Sequence, residues 1–362
     1  MKRHKPDKGL IIVIFLLLIS GMAILSSASL EISQQREGSS YAYLLHQLIY
    51  GVAIGLVIFF VCQKINYKFW KKFSLLIFFG SLILMVLVFI PGLGYQHSGA
   101  QRWIGFGPIS IQPAEFLKLG FIIFLAALFS KKETKGINTL IPFLAIILLV
   151  SALVAKQSDA GTLGIIAIVG FVIYFLSGAK LYQWLAVLVC YGLGFFALIK
   201  FFPYRMERFM VFLHPDIANP QGVGYQIKQA LLGIGSGGLL GVGLGNSNQK
   251  YNFLPEPMGD SVFAIFAEEM GFIGSIVLLG LFLFFALRGL RIVKKAPDDF
   301  SKLLAIGIVG WLIIQTCVNV AAITGLIPLT GIPLPFVSYG GSALIAVLAG
   351  CGILVNISKY TN

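Results

Sequence analysis

Residues 233–271 read GIGSGGLLGVGLGNSNQKYNFLPEPMGDSVFAIFAEEMG. A glycine-rich run gives way to a polar loop, the loop delivers Glu256 and Asp260, and an apolar segment begins directly afterwards. With the preceding Asn219-Pro-Gln-Gly-Val-Gly-Tyr-Gln226, this is the longest break in a very apolar chain. Loops held on a rigid scaffold often carry function. The glycines allow close helix packing or close backbone approach to a ligand. The Gly233-x-Gly235-x-x-Gly238 spacing is not a dinucleotide site, because no strand or βαβ unit precedes it.

The surrounding chain sets the class. Its 362 residues are 58% hydrophobic and 11% charged, with a mean hydropathy of +0.91. Apolar runs near twenty residues recur throughout, which predicts an all-α polytopic membrane protein. A β-barrel would alternate in short segments instead. About ten transmembrane helices are expected, at approximately 10–30, 44–63, 73–91, 114–130, 140–155, 161–177, 181–201, 261–287, 303–323 and 336–357. Residues 1–362 then form one integral membrane domain, with a large extracytoplasmic loop, 203–260, between the seventh and eighth spans. The apolar run after the basic start Met1–Lys8 is longer than a usual signal core, so it reads as an uncleaved first span.

A net charge of +13 would suggest nucleic acid in a soluble protein. Here it fits the positive-inside rule, and no nucleic-acid partner is expected. Eighteen of the twenty-seven lysines and arginines fall at the termini and in the loops after the second, fourth, sixth and eighth spans. Those segments, and both termini, are therefore expected in the cytoplasm. Ten of the fourteen acids fall on the outer side or within the membrane. Charges at membrane depth are costly and usually face a cavity or partner, so a polar cavity is expected in the outer half. Cys62, Cys190, Cys317 and Cys351 form no Cys-x-x-Cys pair and read as small core residues.

Four segments feed that cavity. In the loop between the third and fourth spans, Glu115 and Lys118 lie three apart and share a helix face, as a structural ion pair or a substrate site. Arg102, beside Trp103, is an interfacial anchor or a phosphate binder. Asp159, between the fifth and sixth spans, caps a helix or lines the site. The large loop adds Arg205, Arg208, Glu256 and Asp260. The Pro- and Gly-rich stretch from Thr324 to Ser342 cannot continue a regular helix and is expected to be broken or re-entrant structure lining the cavity. There is no Ser-His-Asp set, no Walker loop and no His-rich metal site. What remains is carboxylate acid/base chemistry beside cations, suited to an anionic lipid-linked substrate. A membrane glycosyltransferase and a lipid-linked-sugar transporter both fit.

At these residues the chain strongly resembles the SEDS family, which includes FtsW, RodA and SpoVE. The matching segments are Gly99-Ala-Gln-Arg-Trp-Ile, Gln112-Pro-Ala-Glu-Phe-Leu-Lys, Asp159-Ala-Gly-Thr, Gly224-Tyr-Gln, Gly235-Ser-Gly-Gly-Leu-Leu-Gly-Val-Gly-Leu-Gly-Asn, Phe253-Leu-Pro-Glu256, Glu268-Glu-Met-Gly-Phe and Pro333-Leu-Pro-Phe-Val-Ser-Tyr-Gly-Gly-Ser342. They run in family order over nearly the whole chain. The resemblance implies ten transmembrane helices in the bacterial cytoplasmic membrane and peptidoglycan glycosyltransferase activity that polymerises lipid II. It also implies a class B penicillin-binding protein as partner, and divisome or elongasome proteins around it. The family's key aspartate maps onto Asp260, the expected general base. Substrate-binding roles are expected for Arg102, Lys118, Glu115, Asp159, Arg205, Arg208 and Glu256.

Two departures stand out. Met258-Gly259 replaces the family's usual His-Thr before the aspartate, and Ser158 stands where Pro is common. Without that histidine, Asp260 depends on Arg or Lys partners or a divalent cation; the cofactor is otherwise undetermined. Gly243-Leu-Gly-Asn-Ser-Asn-Gln-Lys looks more like FtsW, while Thr330-Gly-Ile-Pro-Leu-Pro looks at least as much like RodA; the FtsW-like reading is favoured. The rivals are a lipid II flippase and a non-catalytic scaffold. Acids and loop mass concentrated on the outer side favour the enzyme.

Overall fold

The computed structural model describes residues 4–97, 100–106, 109–131, 139–201, 203–214, 222–251 and 253–361. Lys2, Arg3, Lys132, Lys135 and the Asn219–Gln221 start of the central stretch lie outside the described residues.

Helices dominate. They are α1 (Lys8–Glu37), α2 (Ala42–His46), α3 (Ile54–Lys64), α4 (Tyr67–Lys72), α5 (Ser74–Leu87), α6 (Pro113–Phe129) and α7 (Leu140–Lys156). Then come α8 (Ala160–Leu176), α9 (Leu181–Phe201), α10 (Pro203–Leu213), α11 (Val223–Ser236), α12 (Val262–Lys294), α13 (Asp299–Ile323) and α14 (Gly341–Ser358). A π-helical stretch, Gln47–Ala53, joins α2 to α3. Helix fills most of every expected span interval. Among the described residues, five helical stretches are long and apolar enough to cross a membrane: α1, Ala42–Lys64, α12, α13 and α14.

Paired charges and caps fix one end of the bundle. Asp7 accepts the first-turn amide of Leu10 at 2.8 Å and thereby caps α1. Arg288, near the end of α12, grips the same carboxylate at 2.6 Å. Asp298 caps α13 through a capping box with Ser301 and accepts from the Tyr67 hydroxyl at 2.7 Å. The His4 amide donates to the Lys359 carbonyl. Both chain ends and the basic stretches around Lys64–Lys72 and Arg288–Lys302 thus gather at one end. Asp260 precedes the opposite end of α12, 28 residues of chain before Arg288.

The core forms around α14, buried along most of its length and packed against α3, α6 and α13. Close packing relies on glycine here: a Cβ on Gly352 would meet the Phe59 carbonyl. Next, α12 lies between α1 and α13, while α8 packs on α13 and α6.

One element departs from expectation. The loop between α5 and α6 holds a small antiparallel sheet, β1 (Gly94–His97), β2 (Ala100–Phe106) and β3 (Ile109–Ile111), in that order. Tyr95 pairs with Trp103, and Ile104 with Ile111. Ile104 is buried while Gln101, Arg102, Trp103 and Gly105 keep partial exposure. The run is short enough that the helical periodicity around it masks it.

The glycine-rich run interlocks with α12. That helix breaks at Gly271, at φ 64° and ψ −165°, a region open essentially to glycine. The run supplies replacement partners at the break. Val242 and Gly243 amides donate to the Glu268 and Glu269 carbonyls at 3.0 Å, and Phe272 and Ile273 amides donate to Gly238 and Leu239 at 2.9 and 3.1 Å. A Cβ at Gly237, Gly241 or Gly271 would strike the opposing backbone. Of the two uses open to these glycines, close packing is the one realised.

Candidate active site

Asp260 sits in the last turn of the loop before α12 and keeps partial exposure. Helix α12 begins after Ser261, and its N-cap position makes no side-chain capping bond. The Asp260 carboxylate instead accepts from Gln226 Nε2 at 3.2 Å and from the Ser261 hydroxyl at 3.5 Å. Burial pushes its pKa up to about 6, with the Glu256 carboxylate adding to the rise and Arg208 and Gln226 opposing it. Such a value suits a group that must accept a proton near neutral pH.

The backbone around it is held from below. Asn319 Nδ2, on α13, donates to the Asp260 carbonyl at 2.8 Å and to the Ile332 carbonyl at 2.7 Å. Ser338 Oγ donates to the Gly259 carbonyl at 2.6 Å, and the Tyr339 amide to Met258 at 2.8 Å. The irregular stretch between α13 and α14 is thereby stitched to the Asp260 loop. This is the broken structure its prolines and glycines foretold. Among the described residues, three non-glycine residues have positive φ: Ser158, Glu256 and Phe336. Ser158 and Glu256 fall in turns beside the polar residues described here, whereas Phe336 is buried deeper, its carbonyl against Gly21 of α1 and its ring 6.5 Å from Phe282.

The candidate cations divide into groups. Arg205 and Arg208 lie one turn apart on α10. Arg208 donates to the Leu329 carbonyl at 2.9 Å, and a Cβ on Gly331 would touch both its Nη1, at 3.7 Å, and Asp260 Oδ2, at 3.8 Å. Arg205 is buried within electrostatic reach of Asp159 and Arg102. Arg102 donates to the Gln157 carbonyl at 3.0 Å and to Ser158 at 2.6 Å. It thus clamps the turn whose next residue, Asp159, caps α8 by accepting from the Thr162 amide at 3.0 Å. So α10 links two polar clusters: Arg208 with Asp260, and Arg205 with Asp159 and Arg102.

Glu115 and Lys118 pair at 2.8 Å and are both buried. Lys118 also donates to Gln315 Oε1 at 2.8 Å, and Gln315 Nε2 donates to the Pro333 carbonyl at 2.9 Å. Gln315 is one turn of α13 below Asn319, so the pair underpins the same irregular stretch from deeper in the bundle. Glu256 is exposed, and Gly259 folds back against its carboxylate. Among the described residues no three of His, Cys, Asp and Glu form a metal cage. A divalent cation would have Glu256 and substrate phosphates to bind, the kind of shared shell Mg²⁺ commonly takes.

Gln226, Asn319 and Ser338 escaped the sequence reading as site residues. Gln226 ends the quoted Gly224-Tyr-Gln motif, so a signal existed. Asn319 sits inside an apolar helix, where a buried amide itself signals a partner. Glu268 and Glu269 do not share Asp260's surroundings. Glu268 accepts from the Ser247 hydroxyl and from the Asn248 and Gln249 amides at 3.1 and 3.3 Å. Glu269 takes Lys250 at 3.1 Å and the Ser27 hydroxyl at 2.6 Å.

Comparison with known proteins bears on the family and the fold. The family model FTSW_RODA_SPOVE, described as "Cell cycle protein", matches residues 8–362. The chain is 39% identical to stage V sporulation protein E of Bacillus subtilis, covering 99% of each sequence. It is 36% identical to the probable peptidoglycan glycosyltransferase FtsW of Trichlorobacter lovleyi, over 97% of this chain and 93% of that one. Among solved structures, a chain of a peptidoglycan synthase complex that coordinates polymerization and crosslinking superposes with a TM-score of 0.83 at 27% identity, covering 98% of each. The rod shape determining protein RodA of Thermus thermophilus does so at 0.73 and 28%, over 99% of this chain and 98% of that one.

Proposed function

The chain belongs to the FtsW, RodA and SpoVE family of multi-pass membrane proteins, and on that premise we propose that it is a peptidoglycan glycosyltransferase polymerising lipid II. The observation that carries the reading is Asp260: a carboxylate that burial draws up to a pKa of about 6, beside Arg208 and free of any helix-capping duty.

Asp260 acts as general base. It takes the proton from the acceptor sugar hydroxyl as that oxygen attacks the anomeric carbon of the growing chain. The new C–O bond forms with inversion while the bond to the lipid pyrophosphate breaks. The leaving group departs with its negative charge facing cations. Arg208 is nearest to the base, and Arg205 and Arg102 extend the positive path. Asp159 orients Arg205, and the Glu115–Lys118 pair supports the floor.

In this reading the protein works in the bacterial cytoplasmic membrane with both termini in the cytoplasm and Asp260 outside. The lysine and arginine distribution supports that orientation. A class B penicillin-binding protein is the expected partner; the superposable synthase-complex chain supports it, and α12 and α13 are the proposed docking face. The FtsW-like segments favour a role in division over elongation. The test is polymerisation of purified lipid II by the purified protein, with and without the partner. Glycan strands are expected, in greater amount with the partner. Translocation of lipid II without any polymer would replace the enzyme by a transporter.

A further inference from the structure

The inward face of α2 and the π-helical stretch bears polar aromatic residues where a bundle helix normally buries aliphatic ones. Tyr43, His46, Gln47 and Tyr50 recur at helical spacing and turn toward residues 339–340, while Leu45, Leu48 and Ile49 face outward and are exposed. Tyr339 joins this face. Its hydroxyl lies 2.9 Å from His46 Nδ1, and its ring meets Tyr43 edge-on at 5.4 Å. His46 in turn lies 4.7 Å from Tyr50. Tyr95 on β1 and Glu37 at the end of α1 lie within electrostatic reach of the Tyr339 phenol. The rings are only half buried. Gln47 Oε1 accepts from the Gly340 amide at 3.1 Å, while its buried Nε2 has no acceptor among the described residues.

This group adjoins the candidate base through backbone. Tyr339 donates its amide to Met258, two residues before Asp260. Two residues of chain span at most about 7 Å, so the backbone of Tyr339, whose side chain meets Tyr43 and His46, lies beside the Asp260 loop. Half-buried aromatic faces fringed with hydroxyl and imidazole groups are suited to sugar rings, whose C–H faces stack while their hydroxyls find hydrogen-bond partners. We propose that Tyr43, His46, Tyr50 and Tyr339 form a shelf that holds the sugar chain next to the reacting unit and keeps it bound between additions. The proposal rests on the polymerase reading above. It adds a binding site for the glycan strand, separate from the cations that face pyrophosphate. The competing role for the same rings is an interfacial aromatic anchor in the bilayer, which would affect stability and not strand length.

The test measures strand length and initial rate together, with full-length purified protein and lipid II. In Tyr43→Ala and Tyr50→Ala, strands are expected to be about three- to tenfold shorter, the ratio that loss of one stacking contact gives. Initial lipid II consumption should fall less than length does. Tyr43→Phe and Tyr50→Trp, which keep a ring, should restore most of the length at unchanged thermal midpoints. A second arm uses a GlcNAc–MurNAc tetrasaccharide and saturation-transfer NMR. Transfer is expected to wild type and to Asp260→Asn alike, and to weaken in Tyr43→Ala. Normal strand lengths in the alanine variants, or no tetrasaccharide contact with wild type, would overturn the shelf. So would length lost only in step with thermal midpoint and not regained by the ring-bearing variants. A wild type that makes no polymer yet binds the tetrasaccharide would instead defeat the polymerase reading and leave the shelf standing.

Discussion

Asp260 and the Glu268–Glu269 pair stand a few turns apart around the start of α12, in opposite surroundings. Asp260 has one amide and one hydroxyl as side-chain donors and a second carboxylate nearby, and burial weighs against its charge. Glu268 is buried against two backbone amides and a serine, and Glu269 against a lysine and a serine. A carboxylate tied to backbone amides or to a buried lysine serves architecture. One with few donors and a like charge beside it resists ionisation and is poised to take a proton. Lys250 and Glu269, with Ser247 and Glu268, clamp the glycine-rich run into the break of α12. Position along the helix alone does not separate the two kinds; the donors do.

The sharpest way to break this contrast is Asp260→Asn. If Asp260 is the base, polymerisation falls by on the order of 10²–10⁴-fold, read as glycan product on a gel, with folding retained. A rate close to wild type would remove Asp260 from the chemistry. In wild type, kcat/KM should rise with pH and level off above about 6, the pKa of the free enzyme's base. The stability sign is opposite. The folded pKa of about 6 lies above the ordinary 3.8, so between them the folded protein holds a proton the unfolded chain has released. Stability therefore falls as pH rises through that window. Asp260→Asn should melt above wild type at pH 7, with the two converging toward pH 4.

The architectural pair should respond in stability first. Glu269→Gln leaves Lys250 buried without its counter-charge, which costs about 3–5 kcal/mol, seen as a large drop in thermal midpoint in detergent. At a temperature where the variant stays folded, its polymerisation should remain within a few-fold of wild type. A collapse in activity at full stability would make Glu269 part of the chemistry. Gly271→Ala tests the same joint through backbone. It forces a side chain into a glycine-only conformation, at about 1–3 kcal/mol, and into the glycine-rich run besides; an unchanged midpoint would contradict the interlock.

Gln226→Ala should have the smallest effect. It removes the amide that favours ionised Asp260, so the pH inflection should move above 6. Activity at neutral pH should fall about three- to tenfold, the worth of one hydrogen bond. A loss of activity with no shift of the inflection would make Gln226 a substrate contact instead of a positioning residue.

The helical membrane class was legible from the sequence, because apolar runs of span length have few other physical solutions. The loop before α12 stood out as a candidate site, because carboxylates at a membrane boundary are costly and usually face a cavity or partner. The ordered SEDS segments supplied the reaction and pointed to Asp260. What the residue string could not separate was one carboxylate from another, or one arginine from the next. Asp159 and Arg102 each make backbone bonds that hold the turn before α8, whereas Asp260, equally suited to capping by residue type, does not cap α12. The β1–β3 meander was hidden because its short strands lie in a chain dominated by helical apolar runs. The Gln226–Asp260, Asn319–Asp260 and Tyr339–Met258 contacts join residues far apart in the chain. Local pattern fixes which segments enter the membrane. Which donors reach a given carboxylate, and hence what its proton does, depends on how those segments cross one another, and only the tertiary structure decides that.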